Sequence, residues 1–320
     1  MNTQIKLAII AIAIVIPLAS LAITQTNSPS NNSTNENLKL QVVASATFLY
    51  EFSQNIGKEM IDVTLLVPMG ADPHDWEPTI RDTERLQKAD MIIVNGIGYE
   101  HWLNSLELSD IAGILVDTSN GISTLDSANH DEEKHDDHAK EDGHDDEDNH
   151  NHGVLDPHIW LNPVFAQLQV KNIANALSNS DPTNKNYYQS NAAIYNQKLN
   201  LLDTKIRTEL SGCKTDFITF HDAFSYFSEE YGLTQHTIIS STDSHGDVTP
   251  KTLEHIISLA RELNIKVIFA EENTSTKTSQ VIADEIGGKV LVLSPLEIVS
   301  DETYVEKMTQ NLESLKDALC

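Results

Sequence analysis

The sequence predicts an α/β protein of two lobes joined by one long helix, and three observations carry that expectation. Short runs rich in Val and Ile alternate with helical stretches, the runs fall into two sets of four, and one amphipathic helix separates the sets. With 320 residues, 40% of them hydrophobic, the chain is long enough to bury two such cores.

The first set comprises residues 38–45 (LKLQVVAS), 61–67 (IDVTLLV), 91–96 (MIIVNG) and 113–118 (GILVDT). The second comprises 216–220 (DFITF), 236–241 (HTIISS), 265–270 (IKVIFA) and 289–294 (KVLVLS). Each run is bounded by polar segments, as strands of a sheet are. Between the sets, Tyr188, Ala192, Tyr195, Leu199, Leu202, Ile206 and Leu210 recur at spacings of three and four and mark one apolar helix face. Asp181 and Pro182 supply an N-cap and a first-turn proline, and Gly212 a stop. A helix of that length reaches roughly 45 Å at about 1.5 Å per residue, enough to run along both lobes as a strut. The expected organisation is an export or anchor segment with a polar tether (1–37), an N-terminal lobe (38–180) carrying an acidic His-rich loop (126–153), a connecting helix (181–212) and a C-terminal lobe (213–320).

Leu7 to Ile23 is uncharged for seventeen residues after Lys6, which reads as an export signal or a short membrane anchor. Residues 24–37 (TQTNSPSNNSTNEN) are polar and of low complexity, a composition suited to a tether at the outer face of a membrane. Cys213 and Cys320 are the two cysteines, and in an exported chain they allow one disulfide; neither has the CxxC partner a thiolate zinc site would use. The formal net charge of −27 argues against nucleic acid and anionic membrane surfaces as partners.

About nine units of that charge come from residues 130–152, HDEEKHDDHAKEDGHDDEDNHNH. No packed core absorbs such a run, so it belongs in water. Acidic residues alone would mark only a solvated spacer, but six imidazoles, at His130, His135, His138, His144, His150 and His152, point to loose secondary binding of a divalent metal.

Four further residues form a candidate primary site. His74 lies in PMGADPHDWEP after the second strand, and His158 lies in LDPHIWLNP; in both segments prolines stiffen the backbone and a DPH tripeptide precedes an aromatic residue. His221 directly follows the strand run DFITF and Glu271 follows IKVIFA. Ligands of open α/β sheets bind at the carboxyl ends of strands, so these two point to one crevice. Asp75, Asp156 and Asp222 are candidates for orienting the rings. His101, His236, His245 and His255 lack such a setting and read as structural.

PMGADPHDWEP, NGIGYEHWL, the His-rich insert, DPHIWLNP, FHDAFSYF, FAEENTS and LVLSPLE, in that order, resemble the solute-binding subunits of zinc and manganese ABC importers. The resemblance covers residues 40–320. It implies two α/β lobes on one rigid helix, metal held between them, three histidine ligands at His74, His158 and His221, and an acidic ligand. That acidic position falls on Glu271 or on an aspartate in the last strand's motif, where this chain has Ser294. Three imidazoles with one carboxylate suit tetrahedral Zn²⁺ better than Mn²⁺, which takes more oxygen ligands. The expectation is therefore an exported, monomeric zinc-binding protein, not an enzyme, that serves a membrane permease; manganese is the alternative metal. Rival readings are a zinc hydrolase, with Glu272 the adjacent candidate base, and a surface adhesin or zinc buffer.

Overall fold

The computed structural model describes residues 39–320 apart from 69–70, 72, 74, 107–110, 126–154, 240–247 and 273–275. The export segment, the tether, His74, His245 and the six histidines of the insert lie outside the described residues.

Among these residues two four-stranded sheets form, each wholly parallel. The first contains β1 (Leu40–Ala44), β2 (Ile61–Leu65), β3 (Met91–Val94) and β4 (Ile114–Asp117) in the order β2-β1-β3-β4. The second contains β5 (Asp216–Thr219), β6 (Thr234–Thr237), β7 (Val267–Ala270) and β8 (Lys289–Val292) in the order β6-β5-β7-β8. Interior strands β3 (MIIV) and β7 (VIFA) are buried at every position, the uninterrupted apolar pattern of parallel strands covered on both faces. In each sheet the chain steps outward once and then crosses back. The order reverses between β1 and β3 and between β5 and β7, which opens a crevice at the carboxyl ends there.

Six of the eight α-helices described cover the sheets: α1 (Thr47–Gly57) and α2 (Ile80–Lys88) in the first lobe, α5 (Ser225–Tyr231), α6 (Pro250–Glu262), α7 (Lys277–Ile286) and α8 (Tyr304–Leu319) in the second. Between the sheets run α3 (Pro163–Ser180) and α4 (Lys185–Glu209). The helix starts are chemically specified. Thr79 with Asp82 and Thr303 with Glu306 make capping boxes, and Asn162 caps α3 with Pro163 in its first turn.

The helix expected from Asp181 begins as a 3-10 turn, Pro182–Asn184, in which the Asp181 side chain accepts from the Asn184 amide, and continues as the 25-residue α4. All seven residues of its predicted apolar face are buried. That face meets α1 and α3 on one side of the molecule and α8 on the other. Asn191 donates to the carbonyl of Ile56 and Tyr195 to Glu51, while at the far end Lys316 pairs with Glu209 at 2.6 Å. The sixth strand lies two residues earlier than its apolar residues suggest. Ile238 and Ile239 continue the ladder by donating to Thr219 and Phe220 but turn their side chains into a satellite core.

The main core crosses from one lobe to the other. Phe48 stacks on Trp160 with ring centroids 4.4 Å apart, and Phe52 meets Tyr195 at 5.5 Å and Tyr304 at 5.3 Å. Phe217 and Phe269 of the second sheet, with Leu293 just beyond β8, belong to the same cluster. A shared core makes Lys39–Cys320 one compact unit despite its two sheets.

Cys213, just beyond α4, is disulfide-bonded to Cys320 at the end of α8, a separation of 107 residues. Closing a loop of that size restricts the unfolded chain strongly, so Cys320→Ser should lower stability by about 2–5 kcal/mol. The check is a fall in the urea midpoint relative to the oxidised wild type; an unchanged midpoint would mean the bridge adds nothing to the packing of α8 on α4.

Candidate metal centre

Two buried histidines face each other across the boundary between the lobes. His158 ends the tight segment Asp156–Pro157–His158, and the chain then makes one 3-10 turn, Ile159–Leu161, before α3. Its Nδ1–H donates to Asp156 Oδ1 at 2.7 Å, and its backbone N–H donates to the same oxygen at 2.9 Å. His221 stands two residues beyond β5. Its Nδ1–H and backbone N–H both donate to Glu271 Oε1, at 2.5 and 3.1 Å. A carboxylate on Nδ1 fixes the tautomer and leaves Nε2 to face forward. The two Nε2 atoms lie 3.4 Å apart, and the rings are 0% and 1% exposed.

A third donor completes the described cluster. Glu297 Oε1 lies 3.4 Å from His158 Nε2, and one donor atom from each of His158, His221 and Glu297 falls within 4.8 Å of the others. Glu271 sits behind the His221 ring, where a strand-end carboxylate reaches Nδ1, and Glu297 sits beside both Nε2 atoms. Like His221 and Glu271, Glu297 follows the carboxyl end of a strand, since LVLSPLE leaves β8. Ser294, three residues earlier, accepts from the Leu296 amide through its Oγ and shapes the turn.

Of the three aspartates expected to orient rings, Asp156 holds that of His158; Asp222 also accepts from Ser225 at the start of α5. His74 is outside the described residues, but Pro73 and Trp76 beside it are buried, and Trp76 packs edge-on against Trp102 at 5.8 Å. Among the remaining histidines, His101 lies 3.5 Å from Glu77, His236 lies 3.0 Å from Asp216 and His255 is exposed.

Burial by itself would push the His158 imidazole down, but the Asp156 carboxylate, with Glu297 on the other nitrogen, more than offsets it and raises the pKa to about 10. Carboxylates on both nitrogens of this buried ring make the cluster favourable to a cation.

The ends of β1 and β3 support this arrangement from the first lobe. Glu100 accepts from Ser45 Oγ (2.6 Å), the Asn95 amide (2.7 Å) and the Gly96 amide (3.0 Å). Asn95 in turn donates to the carbonyl of Pro157, next to His158, at 2.9 Å and accepts from Gln169 of α3 at 3.0 Å.

Two parallel-sheet lobes on a long helix, with imidazole and carboxylate donors converging at their boundary, define the architecture of a two-lobed solute-binding protein. The sequence matches the family described as zinc-uptake complex component A, periplasmic, over residues 42–318, and the chain belongs to that family. It is 42% identical over 290 residues to the high-affinity zinc uptake system protein ZnuA of Bacillus subtilis, covering 88% of each. Its fold is similar to that of the metal-dependent lipoprotein YcdH of Bacillus subtilis (TM-score 0.73, 37% identity, 88% of this chain and 99% of that one). It is also similar to Zn(II)-bound AdcA of Streptococcus pneumoniae (TM-score 0.72, 29% identity), where it covers 88% of this chain and 57% of that one.

Glu100 gives the site's scaffold a pH signature. Burial raises its pKa from 4.5 to about 7, against the opposing hydrogen bonds from Ser45, Asn95 and Gly96. A carboxyl whose folded pKa is raised stabilises the fold below the unfolded value and loses that contribution as pH rises through the folded one. Between pH 4.5 and 7 the wild type should therefore lose up to about 3 kcal/mol relative to Glu100→Gln, at 1.36 kcal/mol per unit. Denaturant titrations of both proteins at several pH values measure this; parallel stability curves would show that Glu100 stays ionised throughout.

Proposed function

We propose that this protein captures Zn²⁺ outside the cytoplasm through His74, His158, His221 and Glu297, and delivers it to the permease of an ABC importer. The observation that carries the reading is the spacing of the described donors. Atoms bonded to zinc at about 2.0–2.1 Å in a tetrahedron stand about 3.4 Å from one another. His158 Nε2 lies 3.4 Å from His221 Nε2 and 3.4 Å from Glu297 Oε1, two edges of such a tetrahedron. His74, in the proline-rich sequence PMGADPHDWEP, is the third imidazole of this ligand set. Glu271 and Asp156 orient the ligating rings from behind. Three nitrogens and one oxygen favour zinc over manganese, which takes more oxygen donors.

Capture rather than catalysis is supported by what surrounds the donors. His158, His221 and Glu297 are all buried, which leaves little room for an organic substrate. Glu272, the candidate base of a zinc hydrolase, is engaged elsewhere, its Oε2 accepting from Lys307 Nζ at 3.0 Å. The apolar segment 7–23 fits export and retention at, or release from, the outer membrane face, and the family's periplasmic description agrees. Among the described residues no helix is long and apolar enough to cross a membrane.

Isothermal calorimetry with Zn²⁺ tests the ligand set. His158→Ala, His221→Ala and Glu297→Gln should each weaken the tight equivalent by more than about 100-fold, whereas Glu271→Gln, acting through His221, should cost roughly 10–100-fold. Wild-type affinity in His158→Ala or His221→Ala would overturn the site. A loss in Glu271→Gln that exceeds the loss in Glu297→Gln would return Glu271 to the ligand position.

The insert supplies additional weak sites at His130, His135, His138, His144, His150 and His152. By sequence these histidines lack the proline-flanked setting of the DPH motifs, which argues for weaker binding than at the buried crevice. Deleting residues 129–152 should abolish the weak equivalents and leave the tight one. Loss of the tight equivalent would mean that the insert contributes a primary ligand.

A further inference from the structure

Glu297 belongs by sequence to the second lobe, yet the turn that carries it is gripped by both lobes. Four carbonyls flanking it each accept a side-chain hydrogen bond. That of Ser294 accepts from Asn311 Nδ2 (2.7 Å), and that of Ile298 from Lys307 Nζ (3.2 Å), both on α8. That of Pro295 accepts from Trp160 Nε1 (2.8 Å), and that of Leu296 from Thr47 Oγ1 (2.9 Å), both in the first lobe. Asn311 also accepts from the Ser294 amide at 2.8 Å, so α8 fixes the start of the turn from both sides.

The turn needs such restraint. Leu296 has φ +63°, in the left-handed region that a leucine adopts only when its surroundings over-determine it. Its neighbour Glu297 inherits its direction from that backbone. The two first-lobe donors act on the carbonyls immediately before Glu297. Their own positions are tied to the rest of the site: Thr47 opens α1 just beyond β1, and Trp160 lies two residues after His158, buried and stacked on Phe48. A short covalent path, His158–Ile159–Trp160, and one hydrogen bond to Pro295 therefore connect the histidine of one lobe to the carboxylate of the other.

We propose that Thr47 and Trp160 are positioning residues for Glu297, which set the place of the acidic ligand from the opposite lobe. This inference rests on the reading of Glu297 as a zinc ligand.

The test is Zn²⁺ affinity by competition with a chromophoric chelator, on the exported full-length chain, for Thr47→Ala, Thr47→Ser, Trp160→Phe, Glu297→Gln and the double variant Thr47→Ala/Glu297→Gln. Losing a hydrogen bond that holds a ligand should weaken binding about tenfold in Thr47→Ala and Trp160→Phe, while Thr47→Ser, which keeps the hydroxyl, should stay within about twofold of wild type. In the Glu297→Gln background the additional effect of Thr47→Ala should shrink below about twofold, because the group it positions no longer ligates. The cycle separates positioning from a general structural role, which would add its full effect in both backgrounds. Wild-type affinity in Thr47→Ala, or an undiminished loss in the double variant, overturns the inference even if Glu297→Gln binds weakly. Wild-type affinity in Glu297→Gln overturns the ligand reading itself, and the inference with it.

Discussion

Two carboxylate–imidazole hydrogen bonds, Asp156 on His158 and Glu271 on His221, are the constraint on which the rest of the site depends. Each carboxylate takes the ring's Nδ1–H and the same residue's backbone N–H, so side chain and main chain are fixed together. The rings then have one forward direction. Imidazoles this deeply buried would otherwise swing between tautomers and orientations, and their Nε2 atoms would not meet. Their approach to 3.4 Å leaves two like groups in need of a shared cation, whether a proton or a metal.

The fold makes that meeting possible because its two sheets are not independent bodies. A single aromatic core joins α1, the His158 segment and the start of α8, while α4 runs along both lobes and is tied to the chain's end by Lys316–Glu209 and the disulfide. Donors separated by more than sixty residues are thereby held to within a few tenths of an ångström of a tetrahedral edge. The topology places them: His221 and Glu271 leave β5 and β7 where strand order reverses, and Asn95 and Glu100 fill the equivalent place in the first sheet, reaching His158 through Pro157.

Much of this was legible in the sequence, for physical reasons that differ from element to element. Tyr188 through Leu210 announced the long helix because a helix buried on one face must repeat every three to four residues. The strand runs did the same, with β6 displaced because Ile238 and Ile239 are apolar for a satellite core beyond the strand's end. His158 and His221 were found through stiff loops and strand ends, which are local properties. Glu297 was not singled out beside Glu271, because both carboxylates follow strands of the same sheet and local sequence does not rank them. Which one stands in front of the ring is decided by the turn at Leu296 and by hydrogen bonds spanning more than a hundred residues, and these are tertiary facts. The 3-10 break at Pro182–Asn184 was hidden for a related reason, since a proline after a capping aspartate opens either kind of helix.

The most direct measurement is anomalous diffraction at the zinc edge from crystals of the zinc-loaded protein. The account predicts one strong peak at the lobe boundary, about 2.0–2.2 Å from His158 Nε2, His221 Nε2, an imidazole nitrogen of His74 and a Glu297 oxygen, with Glu271 still on His221 Nδ1. A peak bonded to Glu271, or a lobe boundary without zinc in protein that carries one tight equivalent, would contradict it.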